Sequence, residues 1–294
     1  MKKSLDIAAK IAGLGLGAVL FLVHSGCGGS VKKAVADDAG GPVEVFTVGS
    51  GFFAPGEQLT FRLSLKGIEG GEAMIAFGNP GLAEGRRIMI VRSLWQTAGV
   101  VEMFRQVRDD VTSWIDMETG YPVYSRSDLK FGKKESIVET RFADGKPGSF
   151  SLKYHRSGRR AVTLRQRLAK EETVLDTHST LAAIRGWRSQ EGASAQFYVL
   201  AGRTLWENKI RHRGVEKIKT EFGTVDAVRI EGTAQRLTRG MSVDKRKKMR
   251  DFTVWVTDDG RRLPVLAVGK TEYGDIRAEL VTHRQSPRAM SRRP

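Results

Sequence analysis

Cysteine, histidine and proline are scarce in this chain of 294 residues, which holds one Cys, five His and eight Pro. A lone cysteine, Cys27, closes no internal disulfide. Beyond the first residues the histidines are His155, His178, His212 and His283, far apart and in neither H-x-x-x-H nor C-x-x-C spacing, so the pattern gives no metal site. No G-x-x-x-x-G-K-[ST] phosphate loop and no G-x-S-x-G nucleophile turn occurs. The adjacent carboxylates Asp258 and Asp259 stand before Gly260, where they accept backbone hydrogen bonds of a turn. The expectation is a protein without cofactor or catalytic residues, and not an enzyme. Few prolines beside 33 glycines exclude a proline-rich disordered chain and point to many turns. No long apolar run is present, since Ile11 to Val23 is thirteen residues, too short to span a bilayer comfortably.

That short run has the length of a signal-peptide core, and Lys2, Lys3 and Lys10 precede it. Export is the expectation, with two processing sites. His24-Ser-Gly-Cys27-Gly-Gly is similar to a bacterial lipobox, although His24 stands where an aliphatic residue is usual. Cleavage there removes residues 1–26 and lipidates Cys27, giving a lipoprotein on the periplasmic side of the outer membrane, held by its lipid anchor. Cleavage after Ala36, at Ala34-Val-Ala36, gives a soluble periplasmic protein. Removing residues 1–26 takes away three Lys and one Asp and lowers the formal charge from +16 to +14. In the cytoplasm such a charge would raise nucleic acid as a partner. In an envelope the polyanions are anionic lipid and lipopolysaccharide, so no nucleic acid is expected.

Residues 27–41 read as a flexible tether, residues 42–285 as one β-rich domain, and residues 286–294, with three Arg and no apolar pattern, as a disordered basic tail. Leu59, Phe61, Leu63 and Leu65 alternate with Thr60, Arg62 and Ser64 in a clean strand. Lys66 to Gly71 reads as a turn, and Glu72–Phe77 and Arg87–Leu94 as the next strands. Between Trp95 and Arg108 the period changes to that of a short helix. Strands follow at Val111–Asp116, Tyr121–Asp128, Ser136–Phe142 and Phe150–Tyr154. His178 to Trp187 reads as a second helix capped by Thr177 or Ser179, with Leu181 and Ile184 on one face. Thr204–His212, Val215–Phe222 and Thr224–Gln235 resume the strand pattern. Phe252–Thr257, a tight turn at Asp258-Asp-Gly260, a return strand from Arg262 and a third strand from Ile276 form an antiparallel meander. Short strands separated by turn signals predict a mainly β fold: one large curved antiparallel sheet or half-barrel with two short helices on its concave side.

Two groups of side chains are candidates for binding. Trp95, Trp187, Trp206 and Trp255 are of a kind to line a lipid cavity, and are more simply core residues of a large sheet. Basic residues cluster at Arg156, Arg159, Arg160, Arg165 and Arg167, and again at Arg239, Lys245, Arg246, Lys247, Lys248 and Arg250. The second cluster is a candidate site for an anionic headgroup, against the plainer reading of a solvated loop whose charge prevents edge pairing.

Gly56-Glu-Gln-Leu-Thr-Phe61, Gly70-Gly-Glu-Ala73, Thr180-Leu-Ala-Ala-Ile-Arg185, Glu221-Phe-Gly-Thr-Val-Asp-Ala227 and Val254-Trp-Val-Thr-Asp-Asp-Gly-Arg-Arg-Leu-Pro264 occur in this order. On these motifs the chain resembles the domain-of-unknown-function family 3108 of exported bacterial proteins, from about Phe53 to Arg284. The resemblance implies no activity. The strand-rich pattern with two helices is also similar to lipoprotein carriers of the LolA and LolB kind, where a curved sheet cups acyl chains. That is an analogy of fold alone. The expected function is therefore a non-enzymatic envelope protein that binds a lipid, lipoprotein or other amphiphile in its concavity. The alternatives are a structural or assembly protein that contacts an envelope protein, and a hydrolase of cell-wall polymers, for which no polar constellation is visible.

Overall fold

The computed structural model describes residues 43–46, 52–104, 106–142, 148–167, 174–271 and 274–285. The expected signal peptide, Cys27, the tether and the basic tail lie outside these residues. Alternation builds the sheet. In β2 (Gln58–Leu65) Leu59, Phe61, Leu63 and Leu65 are buried and the residues between them are half-buried. The same period of two runs through β3 (Ile68–Phe77), β5 (Arg86–Thr97) and β6 (Val107–Asp116), so one face of the sheet is apolar.

Hydrogen bonding links the strands in one continuous path. It begins with β1 (Val43–Val45) and β11 (Val174–Leu175), both parallel to β12 (Ser194–Ala201). From β12 the path is antiparallel through β13 (Thr204–Thr220), β14 (Gly223–Arg236), β15 (Arg250–Thr257), β16 (Pro264–Thr271) and β17 (Gly274–Arg284). The last strand, β17, pairs with β2, and the path continues through β3, β5 and β6. It ends with β7 (Pro122–Phe131), β8 (Lys134–Phe142), β9 (Ser149–Arg156) and β10 (Val162–Arg167). The short β4 (Gly81–Ala83) folds back on β5.

The twist of so long a sheet brings its two ends together. Val138, Phe150 and Leu152 of the β8–β9 end pack with Val174, Leu200, Leu205 and Leu237 of the opposite end in a second apolar cluster. Gln166 on β10 donates from Nε2 to the Arg239 carbonyl at 3.2 Å, and the Arg203 guanidinium lies 3.9 Å from the Tyr154 ring centroid. The result is a barrel-like coil with a seam made by side chains.

Inside it lies one helix, α2 (Thr177–Gly186), while α1 (Gly99–Phe104) packs against β3 with Val101 buried. Every residue of α2 from Thr177 to Arg185 is buried. Leu181 and Ile184 each contribute about 1.5–3 kcal/mol of apolar burial there. Phe46, just beyond β1, stacks on Phe197 with ring centroids 4.2 Å apart and meets Trp187 edge-on at 6.2 Å, so the far end of the helix is walled by aromatic rings.

The mainly β architecture with two short helices is the one expected from the sequence, and several boundaries differ. The turn after β2 is only Lys66-Gly67, and β3 already begins at Ile68. Trp95 belongs to strand β5, and the first helix occupies only Gly99–Phe104. Thr204–Thr220 is one strand of 17 residues, where two strands were expected; a register shift between His212 and Val215 absorbs the break. The cap of α2 is Asp176, not Thr177 or Ser179. Between β15 and β16 six residues intervene, with Arg262 at φ 50°, in place of a tight turn at Asp258-Asp-Gly260 and a return strand starting at Arg262. Strand β10 was not foreseen, because its residues read as a basic cluster.

Candidate functional site

The most developed polar arrangement is the buried surround of α2. At its start Asp176 accepts from Ser179 N at 2.8 Å, and Asp176 N donates to Ser179 Oγ at 2.9 Å, a reciprocal cap. Within the first turn His178 is fully buried against the sheet. Its Nδ1 lies 2.6 Å from Ser113 Oγ and its Nε2 2.9 Å from Ser93 Oγ. Ser93 pairs with Val111 and Ser113 with Val91, so the two serines sit two positions apart on the inner face of neighbouring strands and straddle the imidazole. Burial lowers the pKa of His178, with Asp176 opposing, so the ring is held neutral. A neutral imidazole donates at one nitrogen and accepts at the other, and hydroxyls can answer both.

The other end of α2 is tied by charge. Arg185 donates to both oxygens of Glu57, at 2.6 Å and 3.1 Å, with both side chains buried. His283 Nε2 lies 3.0 Å from Glu57 Oε1. Arg185 also donates to the carbonyls of Arg261 and Arg262, each at 3.0 Å. In return Arg262 donates to the carbonyl of Arg185 at 3.2 Å and to that of Trp187 at 3.0 Å, which satisfies carbonyls at the helix end that have no partner within the helix. Three sequence motifs, at Gly56-Glu57, Thr180–Arg185 and Val254–Pro264, thus converge on one buried ion-pair network. Sequence reasoning missed this site, because no local pattern pairs Glu57, Arg185 and Arg262; their place inside the quoted motifs was the available signal.

A third buried carboxyl, Asp109 on β6, accepts from Ser127 Oγ at 3.0 Å. Burial pushes its pKa up to about 7; the Ser127 hydrogen bond opposes this, and Asp110 and Asp128 add to it. Among the described residues no three His, Cys, Asp or Glu side chains gather to hold a metal ion.

The four tryptophans do not share a surface. Trp95, Trp187 and Trp206 are buried in the main core. Trp255 alternates to the face opposite Phe252, Val254 and Val256, is half-buried, and donates from Nε1 to Glu216 Oε1 at 2.6 Å. The expected headgroup cations lie in and after the β14–β15 connection. Lys245, Arg246 and Lys248 are exposed, Lys247 is half-buried, and Arg250 sits over the Trp206 ring, 5.2 Å from its centroid. The one acid of this stretch, Asp244, is buried with Arg246 Nε at 3.0 Å and Arg236 Nε at 3.7 Å, and Arg246 holds its carboxyl below the usual range. On the outer face of β5–β7 a cleft of about 570 Å³ is also lined by charge, but there Arg92 pairs with Asp110 at 2.8 Å and Arg126 with Glu139 at 2.9 Å, so the charges satisfy one another.

Comparison with known proteins adds family and fold. The sequence profile of DUF3108, described as a protein of unknown function, matches residues 60–281. No curated protein matches the chain. Among solved structures the chain is similar to a β-barrel-like protein of the domain of unknown function DUF1849 from Brucella abortus. That match has a TM-score of 0.53 and 12% identity and covers 80% of this chain and 98% of that one. A protein from Bacteroides fragilis described provisionally as exported, with a YmcC-like fold, aligns with a TM-score of 0.36 at 8% identity, over 80% of this chain and 100% of that one. A protein from Parabacteroides distasonis described provisionally as a lipoprotein gives the same TM-score of 0.36 and 8% identity, over 79% and 98%.

Proposed function

This chain belongs to the DUF3108 family, and from its occupied interior we propose that it is a non-enzymatic exported protein that acts through its outer surface, as a structural or assembly component of the cell envelope. The observation that carries this reading is α2, whose residues Thr177 to Arg185 fill the concavity in which a carrier would hold an acyl chain. A helix buried in that position competes with an acyl chain for the same space. The buried ion pair at one end of α2 and the serine clasp around His178 at the other oppose its displacement.

The same burial argues against catalysis. His178 beside two serine hydroxyls has the components of a nucleophile and a base, but both ring nitrogens are taken up by serines and the ring has no exposed surface. The apolar run behind basic residues at the start of the sequence supports export, and the lipobox-like segment before Cys27 supports anchoring to a membrane.

Native mass spectrometry of the purified protein, before and after organic extraction, tests the reading. A bare polypeptide mass that stays bare after incubation with envelope lipids is the expected result. A surplus that vanishes on extraction and matches a lipid would overturn it in favour of an amphiphile carrier.

A further inference from the structure

The two basic clusters, remote in sequence, meet along the seam. Residues 149–167, which form β9 and β10, contain no Asp or Glu, and residues 236–250 contain only Asp244, already paired with Arg236 and Arg246. Gln166 joins them: its Nε2 reaches the Arg239 carbonyl at 3.2 Å and Met241 Sδ at 3.1 Å. Beneath that contact Leu152 and Leu164 share an apolar cluster with Leu237 and Met241. Farther along β10 the ladder places Val162 beside Tyr154, whose ring carries the Arg203 guanidinium from the β12–β13 turn. Exposed cations flank these contacts, with Arg159, Arg160 and Arg165 on one side and Lys245 and Lys248 on the other. Exposed apolar side chains accompany the cations in the β14–β15 connection, where Val243 and Met249 are each 45% exposed.

We infer that this seam is a docking surface for an anionic lipid bilayer, the cations meeting phosphate headgroups while Val243 and Met249 press into the boundary with the acyl chains. Charge alone would suit any polyanion. The exposed apolar side chains select a lipid surface, because a soluble phosphate polymer offers them nothing to bury against. The inference rests on the reading that the protein works through its exterior, and it names the partner of that exterior. It also gives a reason for the closure of the barrel by side chains, since neither cluster alone makes a continuous surface.

The test is sedimentation of the full chain with vesicles of phosphatidylglycerol and phosphatidylethanolamine and, separately, of phosphatidylcholine. The readout is the ratio of the two partition coefficients, to which any N-terminal acyl anchor contributes equally. Each cation near such a surface is worth roughly a fivefold change in binding, so three together give roughly 100-fold. Replacing Arg159, Arg160 and Arg165 by Gln is expected to lower the ratio by about that factor, and so is replacing Lys245, Lys247 and Lys248 by Gln. Substituting Val243→Ser with Met249→Ser is expected to weaken the binding that persists at high salt. If either triple variant leaves the ratio unchanged while its thermal unfolding is unaltered, the composite seam is overturned. If the Val243 and Met249 variant binds as the parent does and soluble polyphosphate displaces the protein from vesicles, the partner is a polyanion and the lipid assignment falls. A lipid found inside the purified protein by native mass spectrometry would instead overturn the occupied-interior reading, whatever the vesicles show.

Discussion

Arg185 and Arg262 each donate to the main-chain carbonyl of the other, at 3.0 Å and 3.2 Å, so that a helix and a loop 77 residues apart close one another's hydrogen bonds. Two like charges tolerate this arrangement because Glu57 takes the Arg185 guanidinium in a bidentate pair and Asp258 approaches Arg262 at 3.9 Å. Burial, with Arg188 nearby, pulls the pKa of Arg262 down from its ordinary value.

Removing one member of that network leaves a buried charge without its partner. Arg185→Met is expected to cost about 3–5 kcal/mol in urea unfolding, since the buried Glu57 then loses its bidentate partner. The double variant Glu57→Gln, Arg185→Met should recover a large part of that loss. A cost below about 1 kcal/mol for Arg185→Met, the range of exposed pairs, would show that the pair is solvated in solution.

His178 and Asp109 give the protein two opposing pH dependences. The folded pKa of His178 lies below its unfolded value, so its contribution is complete above about pH 6.5 and is lost as pH falls below it. Asp109 acts the other way: raised from 3.8 to about 7, it favours the folded state at low pH and loses that advantage as pH rises through 7. Asp109→Asn is therefore expected to stabilise the protein more at pH 8 than at pH 4, and His178→Gln to flatten the acid side of the stability profile. Thermal melts across pH 4 to 9 check both, and a parallel shift of the whole curve in either variant would refute the assignment.

Gly232 on β14 faces Phe252 on β15, and a Cβ at position 232 would collide with the Phe252 ring. The aromatic ring covers a glycine, which fixes the register of the two strands. Gly232→Ala is expected to destabilise by about 1–3 kcal/mol through overpacking, and Phe252→Leu to relieve most of the strain in the double variant. Additive losses in the denaturation midpoints would argue against the contact.

Processing at Cys27 is open to direct measurement. The exported chain should carry an acyl mass at its N-terminus, and Cys27→Ala should remove that mass and lower the membrane-bound fraction, leaving only the salt-sensitive binding of the seam. An N-terminus at Asp37 in the parent protein would assign the cleavage to Ala36 instead.

Most of the sheet was legible because an amphipathic strand writes its burial into alternate positions; Leu59 to Leu65 and Phe252 to Val256 give their inner faces directly. The interior helix was legible as a helix and not as an interior one. Its polar residues, Thr177, His178, Ser179 and Thr180, suggest a wet face, yet each finds a partner or packing inside the barrel, and the one charge, Arg185, is compensated by a residue 128 positions away. No local pattern encodes such a partner. The seam was hidden for the same reason. Two basic clusters were visible, but their meeting depends on the accumulated twist of the whole sheet, to which every strand contributes a little.

The pairing of β17 with β2 also fixes when this protein can finish folding. Ile276 lies opposite Leu65, so the inner edge of a strand near the start of the domain is completed only by the last of the described strands. Wherever the chain emerges, from a ribosome or from an export pore, the edge of β2 away from β3 must wait with its hydrogen bonds open until more than 200 residues have followed. Contacts of such sequence separation make assembly slow and leave the waiting edge sticky. A chain built in this way is suited to being held unfolded and escorted across a membrane before it closes, and it is exposed to mispairing with a second copy if that escort fails.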